Sequence, residues 1–501
     1  MPLWLGIVLG VLVALLVYDL LQKKHAILRN FPLIGHLRYL FEAVGPELRQ
    51  YIVTSNDEER PFSRDQRRWV YTSAKKVNNY FGFGSDNDFD SSSNYVLFHQ
   101  APFPLLEKHP GESGHDPEYR MPCNKVLGAS HGRAKAFRPE SAVGVSAMSF
   151  GSLSAPAIAA LNEGVKIAGA MHNTGEGGIS PHHKQGGDLM LQLGTGYFGA
   201  RDASGAFSME VLKETLRKAP TVKAIEVKLS QGAKPGVGGI LPAAKVTPEI
   251  AEIRGIPVAK DCISPSRHTA FEGVDGLIDF IESIADATGL PVGIKSAVGG
   301  EGFWRALATR MKETGKGPDF ATIDGGEGGT GAGPLVFTDH VALPFRFAFS
   351  RVFRVFADAD LHEDIVFIGS GRLGLPDTAF LAFGLGCDMI QVAREAMLAI
   401  GCIQAQRCES GHCPTGVATQ NKWLQRGLDP TSKAHRLSNY LVTLRKELLR
   451  LSRACGAEHP AEVPLSQMEI LNGREGVRPA AELFDYEEEH VLKAQCAPME
   501  V

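Results

Sequence analysis

Residues 320–331 carry the sequence FATIDGGEGGTG, a short apolar run that ends in an acidic residue and a glycine-rich turn. The chain contains further runs of this kind, each leading into small, polar or basic residues. The six runs are 143–148, 224–229, 291–297, 320–323, 365–368 and 389–392. Stretches with helical spacing, such as 274–284 and 376–385, lie between several of them. Continuous apolar runs that alternate with helices are typical of parallel strands buried on both faces, so the pattern predicts an α/β fold.

The length of this strand–helix region favours closure into a (β/α)8 TIM barrel. An open doubly wound sheet is the alternative, and the absence of a GxGxxG sequence at a first strand–helix turn disfavours it. Five of the six strand ends are rich in glycine or carry a cation. Backbone N–H groups at such turns and at helix starts favour anions, so we predict a phosphate-bearing ligand across the barrel mouth.

Composition sets the limits on partners and on domain organisation. The 501 residues include 52 Lys and Arg against 56 Asp and Glu, and a net charge of −4 argues against a nucleic-acid-binding domain. A hydrophobic fraction of 44% excludes global disorder. We expect the barrel at 141–430, preceded at 22–140 by an irregular region of short helices and loops packing on it, and followed at 431–501 by a C-terminal helix and tail. The helical stretch 433–453 is expected to dock on the barrel, with a membrane-surface helix as the alternative.

The first 21 residues predict a transmembrane anchor. Residues 2–18 contain no charged side chain, and basic residues follow at Lys23, Lys24 and Arg29. A bilayer core needs about 20 residues of helix. A cleaved signal peptide would carry its positive charge before the apolar run, and a buried core helix is rarely found at the extreme N-terminus. The positive-inside rule predicts that the rest of the chain faces the cytoplasm.

Three of the eight cysteines, Cys402, Cys408 and Cys413, fall within twelve residues in a Cys-x5-Cys-x4-Cys spacing. Three thiolates without an obvious fourth suit a 3Fe–4S cluster. Zinc with His412 as a fourth ligand and unliganded structural cysteines are the alternatives. A cluster beyond the last strand would lie near the ligand at the barrel mouth.

Five motifs in unbroken order resemble the FMN-binding synthase domain of glutamate synthase. They are MSFG at 148–151, NTGEGG at 173–178, KLSQGAKPGVGG at 228–239, DGGEGGTGAGP at 324–334 and GC-x5-C-x4-CPTGVATQ at 401–420. The N-terminal anchor and LRNFPLIGHLRYL at 28–40 are similar to stand-alone, membrane-anchored bacterial members. The resemblance implies an FMN-binding barrel, a 3Fe–4S cluster on the three cysteines, and reduction of 2-iminoglutarate, formed from 2-oxoglutarate and ammonia, to glutamate.

The resemblance also implies which residues form the site. The substrate-side, catalytic residues would be Glu176, Lys228, Lys234 and Arg254. The cofactor-binding residues would be Met148, Ser149, Lys228, Lys295, Gly328, Gly329, Thr330, Gly331, Ser370, Gly371, Arg372 and Arg394. A cation beside a flavin stabilises its anionic reduced form, and an arginine offers a bidentate partner to a carboxylate.

The chain departs from the family pattern at two points that bear on function. A membrane anchor and about 120 irregular residues stand where full glutamate synthases carry a glutaminase domain, so ammonia would come from solution or from a partner. Ile240 replaces a glutamine that contacts the keto acid in the family. Electrons would come from a ferredoxin-like donor, because no NAD fingerprint is found. The same cofactors acting on another imine, amine or keto acid, and a non-catalytic electron-transfer subunit, are the alternatives.

Overall fold

The computed structural model describes residues 2–22, 26–53, 58–80, 82–85, 87, 93–473 and 476–496. They fall into two compact units, Met1–Arg68 and Trp69–Val501. The helices of the first unit are α1 (Leu3–Leu21), α2 (Ala26–Asn30) and α3 (Gly35–Leu48), followed by a π-helical turn (Arg49–Val53) and by α4 (Arg64–Ala74), which crosses the unit boundary. In the described part of the chain, α1 alone is long and apolar enough to span a membrane.

Thirteen strands are present in the described residues: β1 (Ser93–Phe98), β2 (Val143–Val145), β3 (Met171–Asn173), β4 (Asp188–Leu193), β5 (Val222–Lys228), β6 (Ile240–Leu241), β7 (Cys262–Ile263), β8 (Val292–Ser296), β9 (Phe320–Asp324), β10 (Val366–Ser370), β11 (Met389–Val392), β12 (Met468–Asn472) and β13 (Gly476–Pro479). Eight of them close in the order β2-β3-β4-β5-β8-β9-β10-β11, with β11 pairing parallel to β2. The predicted TIM barrel is confirmed.

All six apolar runs identified in the sequence form barrel strands, but β3 and β4 were missed. The three residues of β3 are Met171, His172 and Asn173, and β4 begins at Asp188. β3 has only three residues, two of them polar, whereas β4 (DLMLQL) contains an apolar run that was overlooked. Asn173 of β3 and Gln192 of β4 both donate to Glu226 inside the barrel.

The remaining helices surround the barrel or extend it: α5 (Ala155–Ala168), α6 (Met209–Arg217), α7 (Pro248–Arg254), α8 (Gly273–Thr288), α9 (Gly302–Thr314), α10 (Leu335–His340), α11 (Phe345–Asp358), α12 (Pro376–Gly384), α13 (Arg394–Ala399), α14 (Lys422–Gln425), α15 (Pro430–Ala454), α16 (Ala480–Leu483) and α17 (Glu488–Ala494). The long helix α15 packs on α5 at Gly164, where an added Cβ would lie 2.8 Å from Cβ of Leu437. Its apolar face is buried, as expected of a docking helix.

An antiparallel sheet outside the barrel joins distant parts of the second unit. β1 pairs with β12, and β12 pairs with β13, so residues 93–98 lie beside residues near the C-terminus. Only short helices and loops were expected before the barrel. The strand was missed because its partner lies about 370 residues away, and local patterning carries no signal of such a pairing.

Candidate active site

Glu176 and Lys228 form an ion pair at the carboxyl end of the barrel. Lys228 is the last residue of β5, and Glu176 lies in the loop that follows β3. The Lys228 Nζ lies 3.0 Å from Oε1 of Glu176 and donates a hydrogen bond of 2.9 Å to Oε1 of Gln231. The two residues predicted from separate motifs are therefore in direct contact.

Two glycines create the space that holds the Glu176 carboxylate. A Cβ at Gly194 would lie 2.6 Å from Oε2, and one at Gly239 would lie 2.8 Å from Oε1. Burial alone would raise the pKa of Glu176, but the charge and hydrogen bond of Lys228, with the charges of Lys234 and Arg254, lower it below its ordinary value. The carboxylate is therefore ionised at neutral pH, and three cations act on it.

Lys234 and Arg254 complete this cationic group. Lys234 donates to the Gly238 carbonyl oxygen over 3.3 Å, and burial, opposed by the charge of Glu176, lowers the pKa of its ammonium group. Arg254 ends α7 and donates from Nη2 to the Phe150 carbonyl oxygen over 3.2 Å. In the part of the chain that the structure describes, its buried Nε has no hydrogen-bond partner. Such an orphaned donor fits a ligand oxygen.

Lys295 provides a second lysine at the end of the neighbouring strand. Lys228 of β5 and Lys295 of β8 are paired in register. The Lys295 Nζ lies 3.4 Å from Oδ1 of Asp324, whose Oδ2 accepts the Gly232 backbone N–H at 2.8 Å. The strand ends of β5, β8 and β9 therefore present two lysines, of which Lys295 is held by a buried carboxylate.

The loop after β2 carries the predicted flavin neighbours Met148 and Ser149. His183 accepts the Ser180 backbone N–H at Nδ1, so its ring proton lies on Nε2, which donates to the Met148 carbonyl oxygen over 3.0 Å. A Cβ at Gly177 would lie 3.1 Å from Cβ of Ser149. The Met148–Ser149 segment is thus fixed against the loop that carries Glu176.

The predicted segments 328–331 and 370–372 lie at the ends of β9 and β10. Gln231 donates from Nε2 to the Gly329 carbonyl oxygen over 3.1 Å, which links the glycine-rich turn to the residue that holds Lys228. A Cβ at Gly329 would lie 2.6 Å from Cδ of Arg394. The Ser370 carbonyl oxygen accepts the Gly325 N–H at 2.8 Å. Thr330 donates within its own turn to Ala332 over 3.1 Å, and added atoms at Gly331 would meet open space.

Three arginines surround Glu327 in the loops after the last barrel strands. Burial raises the pKa of Glu327, and the charges of Arg346 and Arg372 oppose that rise. Arg394 donates to the Glu327 carbonyl oxygen and interacts electrostatically with its side chain. Arg394 also interacts electrostatically with Glu395 and Asp324. Arg372 and Arg394 follow the last two strands of the barrel, where the fold commonly binds phosphate. Gly371 adopts a φ of +138° beside this group, a conformation that favours glycine.

The three predicted cluster cysteines lie in the loop after α13. The thiols of Cys408 and Cys413 interact electrostatically, and Lys245 lies close enough to act on both. Burial would raise the pKa of Cys413, but backbone N–H groups of Ala418, Thr415 and Val417 lower it below its ordinary value. The Cys402 sulfur accepts the Gln404 N–H at 3.4 Å. Within the described residues, no group of three His, Cys, Asp or Glu side chains is arranged to hold a metal ion.

A buried carboxylate inside the barrel was not found from the sequence. Glu226 of β5 accepts hydrogen bonds at Oε2 from Asn173 (2.8 Å) and Gln192 (2.6 Å), and at Oε1 from Thr322 (2.7 Å). Glu226 lies two residues before Lys228 on the same face of β5, one layer deeper in the barrel interior. It belongs to none of the five motifs and lies inside an apolar run, so the sequence did not single it out.

A second missed group fixes the backbone of Lys228. The His268 Nε2 donates to the Lys228 carbonyl oxygen over 2.9 Å, and its Nδ1 lies 3.0 Å from the hydroxyl of Tyr197. That hydroxyl accepts the N–H groups of Thr269 and Ala270, each at 3.1 Å, so its own proton is donated to Nδ1. Burial lowers the pKa of His268, in agreement with a neutral ring.

Ile240 faces away from this site. It pairs with Ile263 in the β6–β7 ribbon, and both side chains are exposed. The neighbour Gly239 faces Glu176, and Leu241 faces Gly151, where a Cβ would lie 3.2 Å from Leu241 Cδ2. Because side chains alternate along a strand, the replacement of glutamine by isoleucine lies on the outer face of the ribbon.

Fold and site together define an α/β-barrel enzyme with a cationic centre at the carboxyl end of its strands. Residues 120–458 match the family model described as the conserved region in glutamate synthase. The chain belongs to the glutamate synthase family and is a glutamate synthase-like oxidoreductase acting on CH–NH2 groups.

Individual relatives differ in how much of their length the chain spans. The glutamate synthase large subunit-like protein YerD of Bacillus subtilis is 38% identical, with 88% of each chain aligned. The archaeal glutamate synthase [NADPH] of Methanocaldococcus jannaschii is 35% identical over 62% of this chain and 58% of its own. A glutamate synthase large subunit-like protein of Rhizobium meliloti is 30% identical over 68% of this chain and 77% of its own. The chain thus spans less than two thirds of the archaeal relative.

Proposed function

We propose that the protein reduces 2-iminoglutarate, formed from 2-oxoglutarate and ammonia, to glutamate, using FMN, a 3Fe–4S cluster and electrons from a ferredoxin-like donor. The observation that carries this proposal is the set of cations around Glu176. Lys228, Lys234 and Arg254 act on a single carboxylate, so the site retains a positive surplus. A substrate with two carboxylates needs such a surplus.

The chain's own residues divide the work of binding and proton transfer. Among the described residues, the buried Nε of Arg254 has no hydrogen-bond partner and suits a substrate carboxylate, and Lys234 adds a second cation. Lys228 holds a proton at Nζ, and the ionised Glu176 keeps this ammonium group in place 3.0 Å away. In the proposed reaction Lys228 supplies the proton that the imine nitrogen takes up as hydride reaches the carbon.

The barrel mouth fits FMN on the chemistry of its donors. Arg346, Arg372 and Arg394 around Glu327 suit a phosphate, and the lysine pair at the ends of β5 and β8 suits the electron-rich edge of a reduced flavin. When bound, FMN supplies the hydride. The residues proposed to hold it are Met148, Ser149, Lys228, Lys295, Gly328, Gly329, Thr330, Gly331, Ser370, Gly371, Arg372 and Arg394.

The cysteine loop fits a thiolate-bound iron cluster in its surroundings. N–H groups directed at the Cys413 sulfur, and the nearby Lys245 ammonium group, stabilise negative charge on sulfur. We propose Cys402, Cys408 and Cys413 as the ligands. The cluster would pass electrons from the donor to the barrel mouth.

We further propose that α1 is a single-span membrane anchor and that the second unit faces the cytoplasm. The 19 residues of α1 are apolar and exposed almost throughout. Lys23, Lys24 and Arg29 follow α1 in the sequence. Positive charge after the first span keeps the following segment on the cytoplasmic side.

Anaerobic reoxidation tests the proposed reaction directly. The purified full-length protein is reduced, and 2-oxoglutarate with ammonium is added while flavin absorbance and glutamate are measured. We expect reoxidation with glutamate formed in equal amount. A preparation without flavin would contradict the proposal. So would a reduced flavin that is not reoxidised when 2-oxoglutarate and ammonium are added. Iron content tests the cluster assignment independently of the reaction. A Cys408→Ser variant should lose iron, whereas a Cys455→Ser variant should keep it.

A further inference from the structure

Helix α3 carries an apolar stripe that the described residues leave uncovered. Its members follow the spacing i, i+3, i+4, i+7 and i+11, which places them on one side of a helix. The stripe consists of Leu37, Leu40, Phe41, Val44 and Leu48, each between 38% and 64% exposed. A contiguous exposed apolar face marks a surface with a partner.

The stripe is fixed next to the end of α1. Asp19, fully buried in the last turn of α1, accepts the Leu33 backbone N–H at 2.9 Å. The same carboxylate lies 3.0 Å from Nε2 of His36, in the first turn of α3. The start of α3 is therefore attached to the end of α1 where Lys23 and Lys24 follow.

Close packing within the turn fixes the direction in which α3 leaves α1. A Cβ at Gly35 would lie 3.0 Å from Cδ2 of Leu28 and 3.3 Å from the Ile27 carbonyl oxygen. A side chain at position 35 would force α2 and α3 to shift apart slightly. Because Leu28 fills the inside of the turn, the stripe faces outward.

A polar face borders the stripe and completes an amphipathic helix. Arg38 and Glu42 form an i,i+4 pair in which Nη2 lies 2.8 Å from Oε1, and both side chains are exposed. Arg29 is exposed just before the turn. Arg38 is neutralised by Glu42, and Glu47 adds a further acid to α3, so the polar face carries no basic surplus. The apolar stripe itself, held next to the end of α1, is what suits a bilayer surface.

We propose that α3 lies in the membrane interface, with the stripe Leu37–Leu40–Phe41–Val44–Leu48 in the boundary between headgroups and acyl chains. This inference rests on the proposed anchor, because attachment to the end of α1 is what selects a lipid surface as the occupant. The anchor would then consist of two helices, α1 across the bilayer and α3 along its surface. The contact of α3 with the bilayer would restrict the direction in which the chain continues after α1.

Site-specific photo-crosslinking tests this placement in the full-length protein. Benzoylphenylalanine is introduced singly at Phe41 in the stripe, at Glu42 on the polar face, and at Leu9 within α1. Each protein is reconstituted in vesicles of phosphatidylethanolamine and phosphatidylglycerol and irradiated. We expect lipid adducts at Phe41 and Leu9 that exceed those at Glu42 by about fivefold or more.

The three positions separate failure of this inference from failure of the anchor. Lipid adducts at Leu9 with equal, low yields at Phe41 and Glu42 would refute the interfacial helix and leave the anchor standing. Low yields at Leu9 as well would refute the anchor. Protein adducts at Phe41 would assign the stripe to a second copy or another protein and overturn the proposal. Because Phe41 is exposed, the aromatic replacement leaves the fold intact.

Discussion

The two ends of the barrel interior carry opposite chemistry. Toward the amino ends of the strands, the interior is an apolar cluster of Cys123, Leu127, Met171, Met190, Ala224, Phe320, Val366, Ile368 and Met389. Toward the carboxyl ends, β5 presents Glu226 and Lys228, β9 presents Asp324, and the neighbouring strand β8 presents Lys295. A single strand can thus contribute to both, as β5 does with Ala224 at one end and Lys228 at the other. In barrels of this fold, residues at the amino end of the strands contribute to stability, and we propose that those at the carboxyl end serve the reaction.

The largest effect should follow from neutralising Lys228. A Lys228→Met change removes the proton that we assign to the imine nitrogen and leaves Glu176 without its ion-pair partner. We expect kcat of the folded fraction to fall about 10²–10⁴-fold. The thermal midpoint should fall as well, because the buried Glu176 carboxylate loses its ion-pair partner. Lys223→Met is the matched control, because Lys223 lies on the same strand, half exposed, 3.8 Å from Asp188. An equal loss of kcat in the Lys228→Met and Lys223→Met variants would contradict the assignment of the reaction to the carboxyl end of the barrel.

Phe320→Ala should produce the opposite result, a loss of stability without loss of chemistry. Phe320 is fully buried at the start of β9 in the apolar cluster. Truncating a buried phenylalanine costs about 3–5 kcal/mol. Urea unfolding should show this loss, while kcat of the folded fraction stays within about twofold. Phe103→Ala, at a 90% exposed position, should leave the free energy of unfolding unchanged.

Glu226→Gln tests the polar layer between the two ends of the barrel interior, which consists of Glu226 and its three donors Asn173, Gln192 and Thr322. The amide donors of Asn173 and Gln192 both point at Oε2, so the NH2 group of the variant must face Thr322, whose hydroxyl has to rotate from donor to acceptor. We expect a loss of about 1–3 kcal/mol of unfolding free energy. Activity should fall as well if the displaced strand moves Lys228. A variant that unfolds at the wild-type urea concentration would show that the layer contributes no stability.

The sequence predicts the open end of the barrel better than the layer beneath it. The predicted residues Glu176, Lys228, Lys234 and Arg254 come together from three separate segments, two of which follow strands that end at one edge. Glu226 could not be identified from the sequence. A single acidic residue in an apolar strand does not reveal which face of the strand its side chain occupies or which residues donate hydrogen bonds to it. The donors to Glu226 come from β3, β4 and β9, and neither β3 nor β4 was identified from the sequence.

Lys234→Arg should give the smallest effect, visible only in the pH dependence. Burial lowers the pKa of Lys234, so its charge is lost at a lower pH than that of an ordinary lysine. As pH rises through this pKa, the site loses one of three cations and KM for the keto acid should increase. Arginine keeps its charge, so the variant should hold a flat KM over the same alkaline range. Steady-state KM measured from neutral to alkaline pH checks this, with Lys218→Arg on the exposed end of α6 as the control. If the alkaline rise in KM persists in Lys234→Arg, another group titrates there, and the cation that contacts the substrate must be sought nearer Lys228.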